Sequence, residues 1–221
     1  MSEYDSEPVP GLPQRLPDGE TLIWQGSPDW NGVAWRVLHV NTIAVYFLLL
    51  AAAPVAVALW QGANVSDSMA PAARVVAAGA LALAILAGLA KLIARTTIYS
   101  ITNKRVVMRY GVALPITVNI PFNEISAVNV KDYADATADI ALSTSGPLRL
   151  AYLNLWPHAR GWRFEQAEPT LRSVPDGGRI AALLATTMVG AGVPGAAVVP
   201  FLRPAGESRP SLDHDISTAV A

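Results

Sequence analysis

The sequence contains no cysteine, and it is poor in charged residues. Without cysteine the chain can form neither a disulfide bond nor a metal site with thiolate ligands, and it has no thiol nucleophile. Charged residues make up 15% of the 221 residues, against about 25% in ordinary soluble domains, whereas 52% are apolar. This balance indicates a membrane protein. The net charge of −1 argues against a general nucleic-acid-binding protein.

Two long runs without acidic residues predict a transmembrane helical hairpin. The first run, residues 37–60, has no formally charged side chain and lies between Trp35 and Trp60, which suit the membrane interfaces. The second run, residues 72–94, carries only Arg74 and Lys91, both close to its ends. At about 1.5 Å per residue, each run is long enough for a hydrocarbon layer of roughly 30 Å. A buried pair of soluble helices is the other interpretation, which the length of the runs disfavours.

The distribution of basic residues predicts the orientation of this hairpin. Five basic residues and no acidic residue follow between positions 91 and 111, whereas residues 61–71, between the two runs, contain no lysine or arginine. The positive-inside rule therefore predicts that everything after Arg95 is cytoplasmic. Residues 1–36 form an acidic, Pro-rich lead without the features of a signal peptide, and they are expected on the same side. The predicted location is the bacterial inner membrane, with a multi-pass topology.

Residues 95–190 change to the alternating pattern of β-strands. Val106, Met108 and Tyr110 alternate with more polar positions after a turn at Asn103, and the next apolar register is Val118, Ile120 and Phe122. Segments 138–146 and 148–156 predict two further strands, joined near residues 146–147. A helix is predicted from about residue 177. The expected fold class is therefore α+β: a two-helix membrane hairpin followed by a small β-sandwich or barrel that a C-terminal helix caps.

The amino-acid sequence of this region resembles that of bacterial pleckstrin-homology-like (PH-like) domains. The resemblance rests on "YSITNKRVVMRYGV" followed by "VNIPFNEISAVNV", on "GETLIWQGSPDW" ahead of the two apolar runs, and on "PTLRSVPDG" before the last helix. The whole arrangement, over roughly residues 10–190, is most similar to the PuhB-type photosynthetic complex assembly proteins of purple bacteria. "ITNKR" by itself is only moderately specific, whereas the complete order of segments is more specific.

This resemblance implies an inner-membrane assembly factor for the photosynthetic reaction centre and its light-harvesting core antenna. Such a protein acts through protein–protein contacts, with reaction-centre subunits, antenna polypeptides and membrane lipids as partners, and it can form homo-oligomers. It implies no cofactor and no active-site motif. The alternative function is a general membrane-anchored PH-like module that senses lipids or partners and is unrelated to photosynthesis.

Two surfaces are candidate binding sites. Small side chains four residues apart form a stripe on the second apolar run, which predicts a face for a partner's membrane helix: Ala80, Ala84 and Gly88. Basic residues at the start of the sheet domain predict topology and contact with anionic headgroups: Arg95, Lys104, Arg105 and Arg109. The simpler interpretation of the last three is an exposed, solvated sheet face.

Other polar residues carry weaker hypotheses. His39, inside the first run, could ligate the magnesium of a bacteriochlorophyll, but a position near the interface explains it as well. Asp132, Asp135 and Asp139 are interpreted as solvated loop acids. The three histidines, His39, His158 and His214, lack metal-ligand spacing, so no metal site is predicted. Because no known catalytic motif is present, the sequence predicts a protein that is not an enzyme.

The last apolar segment leaves two interpretations open. Residues 180–202 are uncharged and long enough to be a third transmembrane span. The glycines and the proline at positions 190–195 instead favour a helix that ends near Val189 and packs on the sheet. In that case residues 191–221 form an apolar linker and a disordered tail.

Overall fold

The computed structural model describes residues 11–12, 16–145, 155–159, 167–193 and 198–200. The protein is α+β, as predicted, with two long apolar helices and two four-stranded sheets. The elements in chain order are β1 Leu22–Gly26, α1 Trp30–Gly32 with a following π-helical turn Val33–Val37, α2 Val40–Gln61, α3 Val65–Thr96, β2 Ile98–Thr102, β3 Arg105–Tyr110, β4 Ile116–Pro121, a 3₁₀ turn Phe122–Glu124, β5 Ile125–Asp132, β6 Thr137–Thr144, β7 Thr170–Pro175, α4 Gly177–Gly190 and β8 Val198–Pro200.

Helices α2 and α3 pack against each other as a hairpin joined by residues 62–64. Gly62 ends α2 in the left-handed conformation, with φ at +64°, and Gly79 of α3 lies directly against the Phe47 ring of α2. Both helices are long and apolar enough to cross a membrane. Only 11% of the most apolar 18-residue segment of α2, and 17% of that of α3, is buried. The hairpin therefore presents a large apolar surface that the described part of the chain does not cover.

The ends of the two apolar runs differ from the prediction. Helix α3 begins at Val65, so most of the predicted loop 61–71 is helical. Asp67 lies in the first turn, where a carboxylate is favourable, and the Ser68 hydroxyl donates to the Val65 carbonyl oxygen at 2.7 Å. Helix α2 begins at Val40, because the backbone turns through the left-handed region at His39, with φ at +51°.

The β-strand predictions around Asn103 are confirmed. Strands β2 and β3 pair as an antiparallel hairpin, and β4 pairs antiparallel with β3. Both predicted apolar registers are buried in the core between the two sheets: Val106, Met108, Tyr110, Val118, Ile120 and Phe122. The second sheet has the order β7-β6-β5-β8, in which the β5–β8 pair is parallel. Helix α4 closes the core with Ile180, Leu184 and Met188.

The sequence interpretation placed the sheet domain only after Arg95. In the structure, the N-terminal lead contributes a strand to this domain. Strand β1 lies before the helical hairpin and pairs antiparallel with β2, which follows it; Gly26 is opposite Tyr99. The hairpin is therefore an insertion between two neighbouring strands of one sheet. A short segment in a Pro-rich lead gives little local signal for this pairing, since its partner is distant in the chain.

The C-terminal part of the domain follows the closing-helix interpretation. Helix α4 ends at Gly190 after 14 residues, fewer than the roughly 20 that a membrane span needs. Val198–Pro200 then form β8 beside β5, so the 180–202 segment is not one continuous helix. Among the described residues, only α2 and α3 have the length and hydropathy of a span. The strand predicted at 148–156, apart from Leu155 and Trp156, and the tail from residue 204 lie outside the described residues.

Two adjacent glycines at the start of α4 predict opposite effects of the same substitution. A Cβ atom on Gly177 would lie 2.4 Å from the Ala138 Cβ and 2.9 Å from the Ala138 nitrogen, whereas one on Gly178 would meet only the Asp132 carboxylate at 3.4 Å. We expect Gly177→Ala to lower the free energy of unfolding by about 1–3 kcal/mol through overpacking. Gly178→Ala should raise it by up to about 1 kcal/mol, because alanine favours the helix.

Urea unfolding of the full chain in detergent, monitored by tryptophan fluorescence, measures both variants. Equal effects of the two substitutions would contradict the close approach of α4 to β6.

Candidate functional site at the helix–sheet junction

The chain enters the helical hairpin through a segment that is fixed to the sheet domain by Arg36. The Arg36 guanidinium pairs with the Asp135 carboxylate and donates to the Thr137 hydroxyl at 2.7 Å and to the Ser173 hydroxyl at 3.2 Å. It also lies 3.6 Å from the centre of the Tyr133 ring, a cation–π contact. Arg36 thus joins the turn before α2 to both β6 and β7.

The same contact includes the backbone just before Arg36. The Asp29 N–H donates to the Ser173 carbonyl oxygen at 2.9 Å, and the Asp29 carboxylate caps α1 by accepting from the Gly32 N–H. A Cβ on Gly32 would lie 2.3 Å from the Ser173 Oγ. Only glycine therefore permits this close approach of α1 to β7.

Asp139 of β6 is the centre of a buried polar network, although the sequence interpretation counted it among solvated loop acids. This residue is only 2% exposed. Its carboxylate accepts from the Arg172 guanidinium at 2.8 Å, from the Tyr133 hydroxyl at 3.0 Å and from the Ser173 N–H at 2.7 Å. A buried carboxylate is tolerated when it is paired and fully hydrogen-bonded, as here. The prediction for Asp139 was therefore wrong.

These hydrogen bonds hold an irregular stretch of β7 in place. The register of β6 and β7 shifts between Ala138 and Ile140, and Ser173 has a φ of +46°, which is rare for a residue with a side chain. The Asp139 carboxylate bonds to both Arg172 and Ser173. It thereby fixes the two residues of β7 through which the hairpin is attached.

The chain leaves the hairpin beside a second buried polar group, His158. Thr97, which directly follows α3, has its hydroxyl 3.2 Å from the His158 Nε2, and the Tyr99 hydroxyl is 2.8 Å from the Nδ1. The Tyr99 oxygen also accepts from the Arg172 N–H at 3.0 Å. Tyr99 can therefore donate its own proton to Nδ1, which leaves Nε2 to donate to Thr97. The exit of α3 is thus connected to the network around Asp139.

The environment keeps this network in one protonation state. Burial lowers the pKa of His158 to about 3, with a further contribution from the nearby Arg172 charge. Burial also raises the pKa of Tyr99 and of Tyr133, so both remain hydroxyl donors. A hydrogen bond from the Thr137 hydroxyl is the main cause that lowers the pKa of Asp135, and Arg36 adds to it. At neutral pH the junction therefore has an ionised carboxylate at Asp135 and a neutral imidazole at His158.

The predicted small-residue stripe lies on the outside of the hairpin. Ala80, Ala84 and Gly88 are all exposed, and a Cβ on Gly88 would have no neighbour within 4 Å. The face of α3 that packs on α2 contains Gly79 instead. The stripe therefore does not pack against another described part of the chain. Its role in binding a partner helix stays a prediction.

The structure separates the four basic residues of the predicted membrane-facing set. Arg95 lies in the last turn of α3, and Arg109 pairs with Ile98 where the sheet begins after this helix. Lys104 and Arg105 lie at the β2–β3 turn, at the opposite end of these strands. Arg105 forms two hydrogen bonds to the buried Glu20 carboxylate, at 2.8 and 3.1 Å, so its charge is already paired. The four residues do not form one surface.

His39 does not lie inside the first helix, as the sequence interpretation placed it. It precedes α2 and is exposed, whereas His158 is buried in the core. The left-handed backbone at this position removes it from the helix interior. No group of three His, Asp or Glu side chains in the part of the chain that the structure describes could hold a metal ion. His214 is outside that part.

A groove of about 770 Å³ lies between the edge strand β1 and helix α4. Its walls combine apolar side chains, such as Trp24 and Leu183, with the polar groups of Gln25 and Arg179. Such a mixture of apolar walls and a few polar groups suits a bound peptide segment. The groove is thus a second candidate surface for a partner.

Sequence reasoning missed the residues that join the hairpin to the sheet domain. Arg36 lies next to Trp35 at the predicted membrane interface, and His158 received no role, because both make their bonds to residues distant in the chain. A partial signal existed for Asp139: it occupies a strand pattern, "TADIALST", in which an acid is unusual. Nothing in the local sequence identified its partner Arg172.

Two stacked sheets with a helix closing one end of the core define a PH-like protein. The bacterial PH domain family matches residues 37–188, and the chain belongs to that family. The matched range includes both long helices of this chain. A Rhodobacter capsulatus protein, described as an uncharacterized 23.7 kDa protein in the puhA 5′ region, is 35% identical over 186 residues, which cover 82% of this chain and 86% of that protein. No solved structure matches the chain.

The buried neutral His158 predicts a specific dependence of stability on pH. In the folded state the pKa of His158 is about 3, below the ordinary value of 6.5. Below pH 6.5 the unfolded state therefore binds a proton at this histidine that the folded state does not bind. Stability is therefore lost as the pH falls from 6.5 towards 3. Between pH 6.5 and 5 this loss amounts to about 2 kcal/mol.

Urea unfolding at pH 8 and pH 5 tests this prediction. The stability difference between the two pH values should be smaller by about 2 kcal/mol in His158→Gln than in the wild type. His39→Gln is the matched control for the loss of a histidine, since His39 is exposed outside the core. An identical pH dependence in the wild type and His158→Gln would refute the neutral, buried imidazole.

Proposed function

We propose that this protein is a membrane-anchored assembly factor for the photosynthetic reaction centre and its light-harvesting core antenna. It acts by binding subunits of these complexes, without catalytic turnover and without a cofactor of its own. The observation that carries the proposal is the description of the Rhodobacter capsulatus relative, which locates that protein in the 5′ region of puhA, a reaction-centre gene. At 35% identity over most of both chains, a shared role is a reasonable inference.

Membrane anchoring by α2 and α3 is the first part of the proposal. The described part of the chain leaves most of the apolar surface of both helices uncovered, which is unfavourable in water and favourable in a bilayer. Because β1 pairs with β2 across the hairpin, both ends of the hairpin must lie on the same side. Two crossings satisfy this condition. The basic residues after Arg95 favour the cytoplasm for the sheet domain.

Partner binding by two surfaces is the second part. The stripe of Ala80, Ala84 and Gly88 is exposed on α3, and small side chains allow another helix to approach closely within a membrane. The groove between β1 and α4 would hold an extended cytoplasmic segment of the same partner. The junction around Arg36 and Asp139 fixes the relative position of these two surfaces, which suits a protein that positions one subunit for assembly.

Co-purification tests the proposed docking stripe. We expect the tagged wild-type chain, isolated from its host membranes in mild detergent, to carry reaction-centre subunits or antenna polypeptides. In Ala84→Leu/Gly88→Leu the amount should fall by about tenfold or more, because two larger side chains prevent close helix approach.

Ala78→Leu is the control variant. Ala78 is also exposed on α3 but lies about 120° around the helix from Ala84, so binding should persist. Retention of the subunits by the double variant at normal expression would disprove the stripe as the docking face. A wild-type chain that carries none of them would instead favour a PH-like module that senses lipids or other partners, unrelated to photosynthesis.

A further inference from the structure

The loop between β3 and β4 exposes an unbroken apolar run. All five residues at positions 112–116, with the sequence VALPI, are exposed, and Leu114 retains 79% of its accessible surface. Val112 and Ile116 are exposed as well. Single exposed apolar residues are common on proteins, but a run of this length without a polar side chain is not, unless it contacts something.

The conformation of this loop is fixed rather than loose. Gly111 has a φ of +122°, and a Cβ there would lie 2.1 Å from the Leu114 carbonyl oxygen. Only glycine can make this turn. Both neighbouring strands continue in register up to the loop, with Tyr110 opposite Ile116. The apolar side chains are therefore held at the tip of a rigid hairpin.

The loop lies at the end of the sheet that adjoins the helical hairpin. Helix α3 ends at Thr96, and β2 begins at Ile98, opposite Arg109 of β3. Strand β2 runs away from the helix end and β3 returns to it, so the loop that follows Tyr110 comes back beside the end of α3. Lys104, at the other turn, is about 20 Å further along the strands. Arg95 is exposed beside the loop, where anionic headgroups would be found.

We infer that residues 111–116 form an apolar finger that inserts into the membrane interface next to α3 and fixes the sheet domain against the bilayer. The occupant of this surface is lipid, because the loop lies at the end of the sheet that adjoins the uncovered apolar helices. The inference rests on the proposed placement of α2 and α3 in the membrane. Interfacial apolar groups of this kind enter about 5–10 Å below the headgroups.

The absence of cysteine permits a direct test with single labelling sites in the full chain. Leu114→Cys, Lys104→Cys and Leu49→Cys are each labelled with an environment-sensitive fluorophore. They are then reconstituted into phosphatidylcholine–phosphatidylglycerol vesicles that contain lipids with a nitroxide quencher near the headgroup. Lys104 is the matched control, exposed at the opposite turn, and Leu49 is exposed on α2.

We expect the label at position 114 to have blue-shifted emission and to lose about half of it to the quencher, while the label at 104 loses none. Lipids with a deep quencher should affect the label at 49 more strongly than the label at 114. If the label at position 49 is quenched and the label at 114 is as little quenched as the label at 104, the finger does not enter the membrane. The proposed placement of the helices then stands. If 49 is unquenched by either lipid, both the placement and the finger are overturned.

Discussion

The pairing of β1 with β2 is the constraint on which the rest of this structure depends. These strands are neighbours in the sheet, although both long helices lie between them in the chain. The pairing brings the two ends of the helical hairpin to one place and makes the hairpin an insertion rather than a detachable anchor. It also restricts a membrane topology to an even number of crossings between the strands. Among the described residues, the polar contacts that fix the hairpin relative to the sheet domain lie at its two ends, around Arg36 and Thr97.

The buried polar network completes what the strand pairing begins. Arg36 holds the entry of the hairpin, and Thr97 with His158 holds its exit. Both lead to Arg172 and Ser173 of β7, which Asp139 fixes from β6. Burying a charge pair often contributes little net stability compared with an apolar substitute, because desolvation offsets the attraction. Its benefit here is geometric, since directional hydrogen bonds define one arrangement of the helices on the sheets.

The sequence predicts those parts of the structure that local patterns control. The apolar runs predict α2 and α3, the alternation around Asn103 predicts the β2–β3 hairpin, and the glycines after Val189 predict where α4 ends. Local patterns do not identify which strand pairs with a given strand, or which side chain pairs with a buried charge. For this reason β1 was assigned to a lead, Asp139 to a solvated loop and Lys104 to the same surface as Arg95. The start of α3 was also missed, because a polar turn with Ser and Asp resembles a loop but equally suits the first turn of a helix.

We expect a rigid connection between the helical hairpin and the sheet domain, because Arg36 and Thr97 attach the two ends of the hairpin to the sheets. Pulsed EPR distance measurement between spin labels at Leu81→Cys in α3 and Lys104→Cys in the β2–β3 turn tests it most directly, since both side chains are exposed and the chain has no other cysteine. A rigid connection gives one narrow distribution of the distance between the two labels in the wild-type background. It should broaden clearly with Arg36→Gln but not with Arg74→Gln, a substitution of an exposed arginine within α3. A broad wild-type distribution, or an unchanged narrow one in Arg36→Gln, would contradict the claim.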